Sequence, residues 1–317
     1  MNLGVIGLGS SGRMITRLAF GCEQLGGYEW GQVDPAQIGA AIEVAVARGV
    51  TLFDTADCYA RGESERRLGR LLAPHRDRVV LATKFGVRFD NAGKVFYDST
   101  PAWAERALDE SLARLGAESV DLLQMHYWDG ITPLAALFER LEKLRERGKI
   151  RWYGITNHVP AEALPPGYPG LVSASLEFSL AAPAHASAAR RFAAAGLTFI
   201  GYGTLGQGIL SGKYGRAVRF GPDDRRSREQ YRHFHGAGLQ RSAGIVAVLH
   251  EHAAALGATP SQLAIAWVLE VLPQSVALVG FKRTQQLLDA LAALQLRLPE
   301  QTRLALEQAA APADGVT

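Results

Sequence analysis

Cysteine is scarce in this chain of 317 residues, which has only Cys22 and Cys58, and no apolar run reaches 18 residues. Two cysteines exclude a disulfide framework and are typical of a reducing compartment. The lack of a long apolar run argues against a membrane-spanning helix. The segment from Met1 to Arg13 lacks both the basic start and the apolar core of a secretion signal. The sequence therefore predicts a soluble, cytoplasmic protein.

Net charge is also small, at +3, and most of it is concentrated in one segment. That segment has seven basic residues against three acids, Asp223, Asp224 and Glu229; the basic residues are Lys213, Arg216, Arg219, Arg225, Arg226, Arg228 and Arg232. Such a local excess is usually solvated surface, but it can also meet the phosphates of a ligand. Neither aromatic interleaving nor a helix-turn-helix pattern accompanies it, so nucleic acid is not an expected partner.

Low-complexity tracts and Gly/Ser-rich linkers are absent as well, and apolar β-branched runs alternate with amphipathic stretches. The predicted strands are Leu18 to Cys22, Thr51 to Asp54, Val79 to Thr83, Val120 to Met125, Arg151 to Ile155, Leu171 to Leu176, Leu197 to Tyr202 and Val276 to Val279. The predicted helices are Pro35 to Arg48, Ser64 to Leu72, Pro101 to Leu115, Pro133 to Arg147, Ala184 to Ala195, Ser242 to Leu256, Pro260 to Leu269 and Thr284 to Leu294. Alternation of this kind predicts parallel strands with crossover helices, and eight such units predict a (β/α)8 TIM barrel as a single domain over residues 1–317.

Two segments depart from this alternation. Four prolines between Pro160 and Pro169 leave room for only a very short helix in the fifth unit. The segment from Gly206 to Gln240 has no clear period and is longer than a normal connection. It is therefore predicted to be a long functional or mobile loop at the C-terminal face of the barrel.

A glycine motif near the N-terminus suggests a dinucleotide fold at first sight. Gly7, Gly9 and Gly12 have the G-x-G-x-x-G spacing after a short apolar run. That motif needs a helix after the third glycine and an acid about 20 residues further on. The segment R-M-I-T-R-L-A-F-G continues instead as strand and turn. A β-hairpin over one end of the barrel is the preferred interpretation.

Four chemically active side chains follow three successive predicted strands. They are Asp54, Tyr59, Lys84 and His126, and barrel enzymes place their chemistry at such C-terminal strand ends. Toward a carbonyl group, Tyr59 can donate a proton and His126 can hydrogen-bond the oxygen. Lys84 is expected to lower the pKa of Tyr59 by its charge, and Asp54 to orient Lys84. No side chain supplies a hydride, so a redox cofactor is implied.

At this point the chain resembles the aldo-keto reductase family over nearly its whole length. The resemblance is carried by D-T-A-D-C-Y-A-R-G-E-S-E, Lys84, D-L-L-Q-M-H, G-K-I-R-W-Y-G-I-T-N, G-Y-G-T-L-G-Q-G-I-L-S-G-K-Y and A-T-P-S-Q-L-A-I-A-W-V-L, in the order of the family. It implies a barrel that binds a nicotinamide cofactor, usually NADPH, with Tyr59 as general acid and His126, Lys84 and Asp54 as its partners.

The resemblance also implies the cofactor positions. Thr156 and Asn157 match the pair that holds the carboxamide, and Tyr202 the aromatic that stacks on the nicotinamide. The loop along the pyrophosphate and the loop at the adenosine are matched by Gly203, Thr204, Leu205, Gly206, Lys213, Gly280, Lys282, Arg283, Gln286 and Asp289. Three departures alter this pattern: Ser175 stands where the family usually has Gln, Phe178 replaces a Tyr, and Ala290 replaces an Asn.

The substrate pocket is expected in loops after the strands, at Tyr28, Trp30, Phe85, Arg88, Tyr127 and Trp128. Such loops vary independently of the barrel, so the sequence indicates neither the particular carbonyl nor the oligomeric state. Two alternatives stay open: a biosynthetic reductase of a keto sugar or secondary-metabolite intermediate, and a non-catalytic NADPH-binding redox sensor. The pairs His233 with His235 and His250 with His252 are interpreted as surface histidines and both cysteines as packing residues, so no metal site is predicted.

Overall fold

Eight parallel strands close into a barrel in the computed structural model, which describes residues 3–157, 159–214 and 218–311. The strands are β1 (Val5–Gly7), β2 (Met14–Thr16), β3 (Leu18–Gly21), β4 (Leu52–Asp54), β5 (Val80–Phe85), β6 (Val87–Phe89), β7 (Val95–Tyr97), β8 (Val120–Met125), β9 (Ile150–Thr156), β10 (Leu171–Glu177), β11 (Thr198–Tyr202) and β12 (Ser275–Gly280). The barrel runs β3-β4-β5-β8-β9-β10-β11-β12, and β12 pairs with β3 to close it. The predicted TIM barrel is confirmed, and every predicted strand overlaps a barrel strand.

Helices occupy the connections between the barrel strands. They are α1 (Pro35–Ala47), α2 (Glu63–Leu72), α3 (Pro101–Leu115), α4 (Leu134–Glu146), α5 (Ala186–Ala194), α6 (Gly236–Leu256), α7 (Pro260–Val271), α8 (Thr284–Ala292) and α9 (Glu300–Ala310). Thr259 shows why a helix begins where it does: its hydroxyl accepts from the Gln262 backbone, the Gln262 side chain accepts from the Thr259 backbone, and Pro260 fills the first helical position. Gly257, at φ 60°, ends α6 in the left-handed region that glycine adopts without strain.

Apolar side chains form two separate cores. The larger one lies between the strands and the helices, and α6, α7 and α8 contribute to it. The smaller one fills the barrel interior, where Leu52, Leu122 and Val276 meet. The β1-β2 hairpin supplies Ile6, Leu8 and Ile15 to this inner core and so closes the N-terminal end of the barrel. The interpretation of Gly7, Gly9 and Gly12 as part of a hairpin, and not of a dinucleotide fold, is therefore correct.

The structure adds elements that the sequence analysis does not predict. β6 and β7 form a second antiparallel hairpin after β5, and α9 packs against α6. α6 begins at Gly236, within the segment predicted to be a loop, and three short 3-10 helices precede it: Gly206–Ser211, Arg225–Ser227 and Arg232–Phe234. Among the described residues, the fifth connection contains only the 3-10 helix Ala161–Ala163, as predicted. In the part of the chain that the structure describes, no single helix is long and apolar enough to cross a membrane.

Candidate active site

Asp54, Lys84 and Tyr59 meet at the C-terminal end of the barrel. Asp54 ends β4, and Lys84 lies in the neighbouring β5, so their side chains enter the barrel mouth side by side. The buried Lys84 ammonium donates to Asp54 Oδ1 and, over 2.9 Å, to the Thr55 carbonyl. Its Nζ also lies 3.3 Å from the hydroxyl oxygen of Tyr59. A buried ion pair thus lies in direct contact with a phenol.

The backbone after Tyr59 holds an unusual conformation. Ala60 and Arg61 have φ angles of 48° and 52°, in the left-handed region. Conformations of this kind cost non-glycine residues about 1–3 kcal/mol each and persist only where the surroundings impose them. One such constraint is Gly26, because a Cβ at that position would lie 2.5 Å from the Ala60 Cβ. This tight turn fixes the direction in which Tyr59 leaves the chain.

Gln124 extends the polar cluster and is absent from the sequence predictions. It is completely buried in β8, and its Nε2 donates to Asp54 Oδ2 over 2.8 Å. The Ser175 hydroxyl lies 3.4 Å from Gln124 Oε1. Both oxygens of Asp54 are therefore engaged, one by Lys84 and one by Gln124. The sequence signal that could have indicated this role is a glutamine inside the apolar run L-L-Q-M.

His126 follows β8 and faces Tyr59, with the two ring centroids 5.9 Å apart and nearly perpendicular. Burial and then the charge of Lys84 hold the pKa of His126 well below its usual value, so its imidazole is neutral at pH 7. Its backbone carbonyl accepts from the Thr156 hydroxyl and, over 2.7 Å, from Asn157 Nδ2. Two side chains from the end of β9 thus fix the backbone that carries the imidazole.

The pKa of Tyr59 is raised well above its ordinary value, first by burial and then by the carboxylates of Glu23 and Asp54. This corrects the expectation that Lys84 lowers it. The contact with Lys84 is present, but desolvation of the phenolate outweighs the attraction of one ammonium that Asp54 already neutralises. Tyr59 is therefore protonated at pH 7, which is the state that a proton donor needs.

The residues predicted to hold a nicotinamide meet beside His126. Thr156, Asn157, Ser175 and Tyr202 all line one cleft with a volume of about 840 Å³. The Tyr202 hydroxyl donates to Asn157 Oδ1 over 2.5 Å, while Asn157 itself has a φ of 61°. By contrast, Phe178 is buried in the core, where its ring stacks on Trp267 at 5.4 Å.

The cleft continues along the loop after β11. Gly203, Thr204, Leu205 and Lys213 line it, whereas Gly206 is buried behind them. The Thr204 hydroxyl donates to the carbonyls of Gly201 and Leu278, over 3.1 and 3.2 Å, and so ties this loop to the strands below. The loop forms one wall of the cleft.

The far end of the cleft is formed by Gly280, Lys282, Gln286 and Asp289. Gln286 Oε1 accepts from the Lys282 backbone over 2.9 Å. Asp289 also bonds to Thr259 and Gln262 at the start of α7, over 3.0 and 2.8 Å. Arg283 precedes α8 and does not line the cleft.

Lys282 lies in a positive environment. Burial lowers its pKa to about 8, and Arg226, Lys213 and Arg283 add to this effect, while Asp224 alone opposes it. Cations that crowd one another in this way indicate a place where an anion binds.

Three of the six predicted substrate residues, Tyr28, Trp30 and Tyr127, line the cleft. The other three do not reach it, because each is engaged elsewhere. Phe85 is buried in the outer core. The Arg88 guanidinium lies over the Trp103 ring and pairs with Asp98, and the Trp128 indole donates to the Thr132 carbonyl over 2.8 Å. The outer wall is formed instead by the unpredicted β6-β7 hairpin, through Val87, Phe89, Val95 and Tyr97.

A clasp of opposite charges bridges the two rims of the cleft, and the sequence analysis does not predict it. Trp30 on one rim forms an antiparallel bridge with Asp224 on the other. Arg225 pairs with Glu23 and with Glu29, and Arg228 also pairs with Glu29. The predicted basic segment is therefore partly neutralised from the opposite rim; Arg216 lies outside the described residues.

The paired histidines have separate partners. His233 lies 3.7 Å from Glu177, and His235 Nε2 lies 2.8 Å from the Arg226 carbonyl. His250 contacts the Gly212 carbonyl at 3.2 Å, while His252 contacts the Thr302 hydroxyl at 3.0 Å. Each ring thus has its own polar partner.

Comparison with known proteins gives consistent results. The model of the Aldo/keto reductase family matches residues 17–311. An uncharacterized oxidoreductase of Mycobacterium tuberculosis is 34% identical over 307 residues, covering 93% of this chain and 90% of the relative. An aldo-keto reductase of Schizosaccharomyces pombe whose name specifies NADP(+) is 29% identical, covering 91% and 86%. The structure of a glycerol dehydrogenase from Gluconobacter oxydans superimposes with a TM-score of 0.85 at 27% identity, covering 100% and 99%.

Proposed function

Because the chain belongs to the aldo/keto reductase family of oxidoreductases, we propose that it reduces an aldehyde or ketone to an alcohol, with NADPH as cofactor and Tyr59 as proton donor. The observation that carries the proposal is the contact between the Tyr59 hydroxyl and Lys84 Nζ, 3.3 Å apart, at the base of the cleft. A bound nicotinamide supplies the hydride, which side chains cannot provide.

The side chains have distinct roles in this proposal. Tyr59, kept protonated by its raised pKa, donates its proton to the carbonyl oxygen. Lys84 stabilises the phenolate that forms, because its ammonium is already in place and needs no reorganisation. His126, as a neutral imidazole, donates a hydrogen bond to the same oxygen. Asp54, held by Gln124, pairs with Lys84 and orients it.

The cleft fits a nicotinamide dinucleotide with an additional phosphate. The cations around Lys282 lie at its far end, where a phosphate dianion can make charge-assisted hydrogen bonds. Gln24 Oε1 is buried near Gly280 without a hydrogen-bond partner, so a donor is missing there. We propose that Thr156, Asn157, Ser175 and Tyr202 hold the nicotinamide end. The adenosine end then belongs to Gly280, Lys282, Arg283, Gln286 and Asp289, and Gly203, Thr204, Leu205, Gly206 and Lys213 belong to the segment between them.

The outer wall of the cleft supports a substrate with an apolar or aromatic group. Phe89 and Tyr97 are each 43% exposed there, and Tyr127 stacks on Tyr97 with ring centroids 4.5 Å apart. We propose that a small carbonyl compound enters along this wall. We also propose a single domain, because strands from both halves of the chain share one closed barrel.

Tyr59→Phe tests the proposal. The variant is expected to lose about 10² to 10⁴ in kcat for carbonyl reduction while binding NADPH as the wild type does, since only the proton donor is removed. A panel of aldehydes and ketones is assayed by NADPH oxidation, and cofactor binding by fluorescence titration. Tyr168→Phe is the matched control, because its hydroxyl bonds a helix carbonyl far from the cleft. Full activity in Tyr59→Phe overturns the mechanism; a wild type that binds NADPH but reduces no carbonyl supports the sensor alternative.

A further inference from the structure

Three potential metal ligands converge beside Tyr59. They are the carboxylate of Asp57, the thiol of Cys58 and the imidazole of His126, whose ligand atoms all lie within 4.8 Å of one another. In the part of the chain that the structure describes, no other group of three His, Cys, Asp or Glu side chains meets this closely. The proposed reduction uses only His126 of the three, so it leaves the group as a whole unexplained.

The spacing of the two softer ligands fits one metal ion. Cys58 Sγ and His126 Nδ1 lie 3.6 Å apart. A tetrahedral zinc ion with bonds of about 2.3 Å to sulfur and about 2.0–2.1 Å to nitrogen separates those two atoms by about 3.5 Å. One carboxylate oxygen of Asp57 lies within 4.8 Å of both atoms and completes a set of three.

Asp57 has a buried oxygen that lacks a partner. Its Oδ1 is inaccessible to water and has no hydrogen-bond partner among the residues that the structure describes. Such a carboxylate is costly to keep charged unless a cation or a donor approaches it. A metal ion bound by this carboxylate and by Cys58 supplies the positive charge that such a group needs.

The surrounding charges permit a cation. The nearest ammonium, Lys84, is paired with Asp54, and Arg114 is paired with the buried Glu65. Glu23, on the cleft rim that also carries Trp30, is close enough to Cys58 to act on it through its negative charge. Cys58 and His126 line the cleft, so an ion reaches them from solvent without passing through the core.

We propose that Asp57, Cys58 and His126 form a three-ligand site for a thiophilic divalent cation of the zinc class, with a water from the cleft as fourth ligand. Binding forms a metal–sulfur bond and releases the thiol proton to solvent, without any change of oxidation state. The bound ion immobilises His126 and the residue next to Tyr59. If the proposed reduction is correct, occupancy is expected to inhibit it, because the ion constrains His126 and the residue next to Tyr59.

The site is tested with metal ions on the full chain. Co²⁺ is titrated first, because a cobalt–thiolate bond gives a charge-transfer absorption that oxygen and nitrogen ligands do not give, and Zn²⁺ affinity is then measured by calorimetry. We expect one equivalent of each ion, the thiolate absorption in the wild type, and displacement of Co²⁺ by Zn²⁺. Cys58→Ser is expected to lose the absorption and to weaken Zn²⁺ binding at least about tenfold. Cys22→Ser is the matched control, since Cys22 is buried and lies outside the group.

Each outcome of the metal-binding measurements either supports or refutes the proposed site. Equal Zn²⁺ affinity in Cys58→Ser and wild type, binding without the thiolate absorption, or loss of the absorption in Cys22→Ser refutes the site. Should Cys58→Ser fail to fold, Asp57→Asn provides the same comparison: tenfold weaker Zn²⁺ binding supports the site and unchanged binding refutes it. These measurements need no turnover, so they stand or fall separately from the proposed reduction. Where the protein does reduce a carbonyl, Zn²⁺ should inhibit it in Cys22→Ser but not in Cys58→Ser.

Discussion

Raising the pH from 7 to 9 is expected to weaken NADPH binding about tenfold and to leave NADH binding nearly unchanged. The reason is Lys282, whose pKa is lowered to about 8 by burial and by its cationic neighbours Arg226 and Lys213. With that pKa, about nine-tenths of the molecules carry the ammonium at pH 7 and about one-tenth at pH 9. The 2′-phosphate, with a second pKa near 6, is a dianion throughout this window. NADPH binding therefore requires proton uptake above pH 8, and its affinity falls as the pH rises.

The assay is a fluorescence titration of both cofactors at several pH values and constant ionic strength. NADH serves as an internal control, because it lacks the phosphate but occupies the rest of the cleft. Lys282→Arg is the matched variant: its guanidinium stays charged over the whole range, so the pH dependence of NADPH affinity should disappear. Lys282→Met should bind NADPH at pH 7 about as weakly as the wild type does at pH 9. Equal affinity of the wild type for the two cofactors at pH 7, or a pH dependence that Lys282→Arg retains, would refute the reasoning.

Three further outcomes are expected. Lys84→Met leaves the buried Asp54 carboxylate without its cation and should lower the free energy of unfolding by about 3–5 kcal/mol in denaturant titrations, besides abolishing reduction; adding Asp54→Asn should restore the stability but not the activity. Asp57→Asn should raise the melting temperature more at pH 8 than at pH 5. The pKa of the Asp57 carboxyl group is about 7 in the folded protein against 3.8 in the unfolded chain, so ionisation of Asp57 lowers the stability of the wild type as the pH rises between those values. Gly69→Ala should destabilise α2, because its Cβ would lie 2.0 Å from the Leu115 carbonyl oxygen. By contrast, the Cβ of Gly244→Ala in α6 meets nothing within 4 Å, so this change should raise the free energy of unfolding by about 0.5–1 kcal/mol in the same titrations.

The barrel could be predicted from sequence because its strands are buried on both faces. Such strands are continuous apolar runs, and polar residues that follow them stand out, as His126 does after L-L-Q-M. β6 and β7 could not be found this way, since Phe89, Val95 and Tyr97 are exposed and their hairpin follows β5 almost directly. The start of α6 was missed because Gly236 and Gly238 are poor helix formers, and tertiary packing decides there.

Side-chain direction limited the prediction of the site in the same way. Phe85 and Arg88 come from the right strand end, but whether a side chain faces the cleft or the helices depends on packing that a single sequence does not reveal. The clasp of ion pairs between the two rims of the cleft could not be predicted from the sequence for another reason. Glu23 and Arg225 are 202 positions apart, and nothing local in either segment indicates the other. The net pKa of Tyr59 likewise depends on burial, which is a property of the whole fold.

The β1-β2 hairpin has a consequence for the order of folding. It is synthesised early, yet Gly9 rests against Val172 and donates to the Thr198 hydroxyl, 189 positions later in the chain. Ile6, Leu8 and Ile15 share the inner core with Val172, Ile200 and Val276, so part of their packing depends on strands from late in the chain. Contacts between such distant segments form slowly because of the entropy of closing the chain between them. The hairpin thus precedes every barrel strand in the sequence, yet its packing is complete only after the last of them, β12, has joined the barrel.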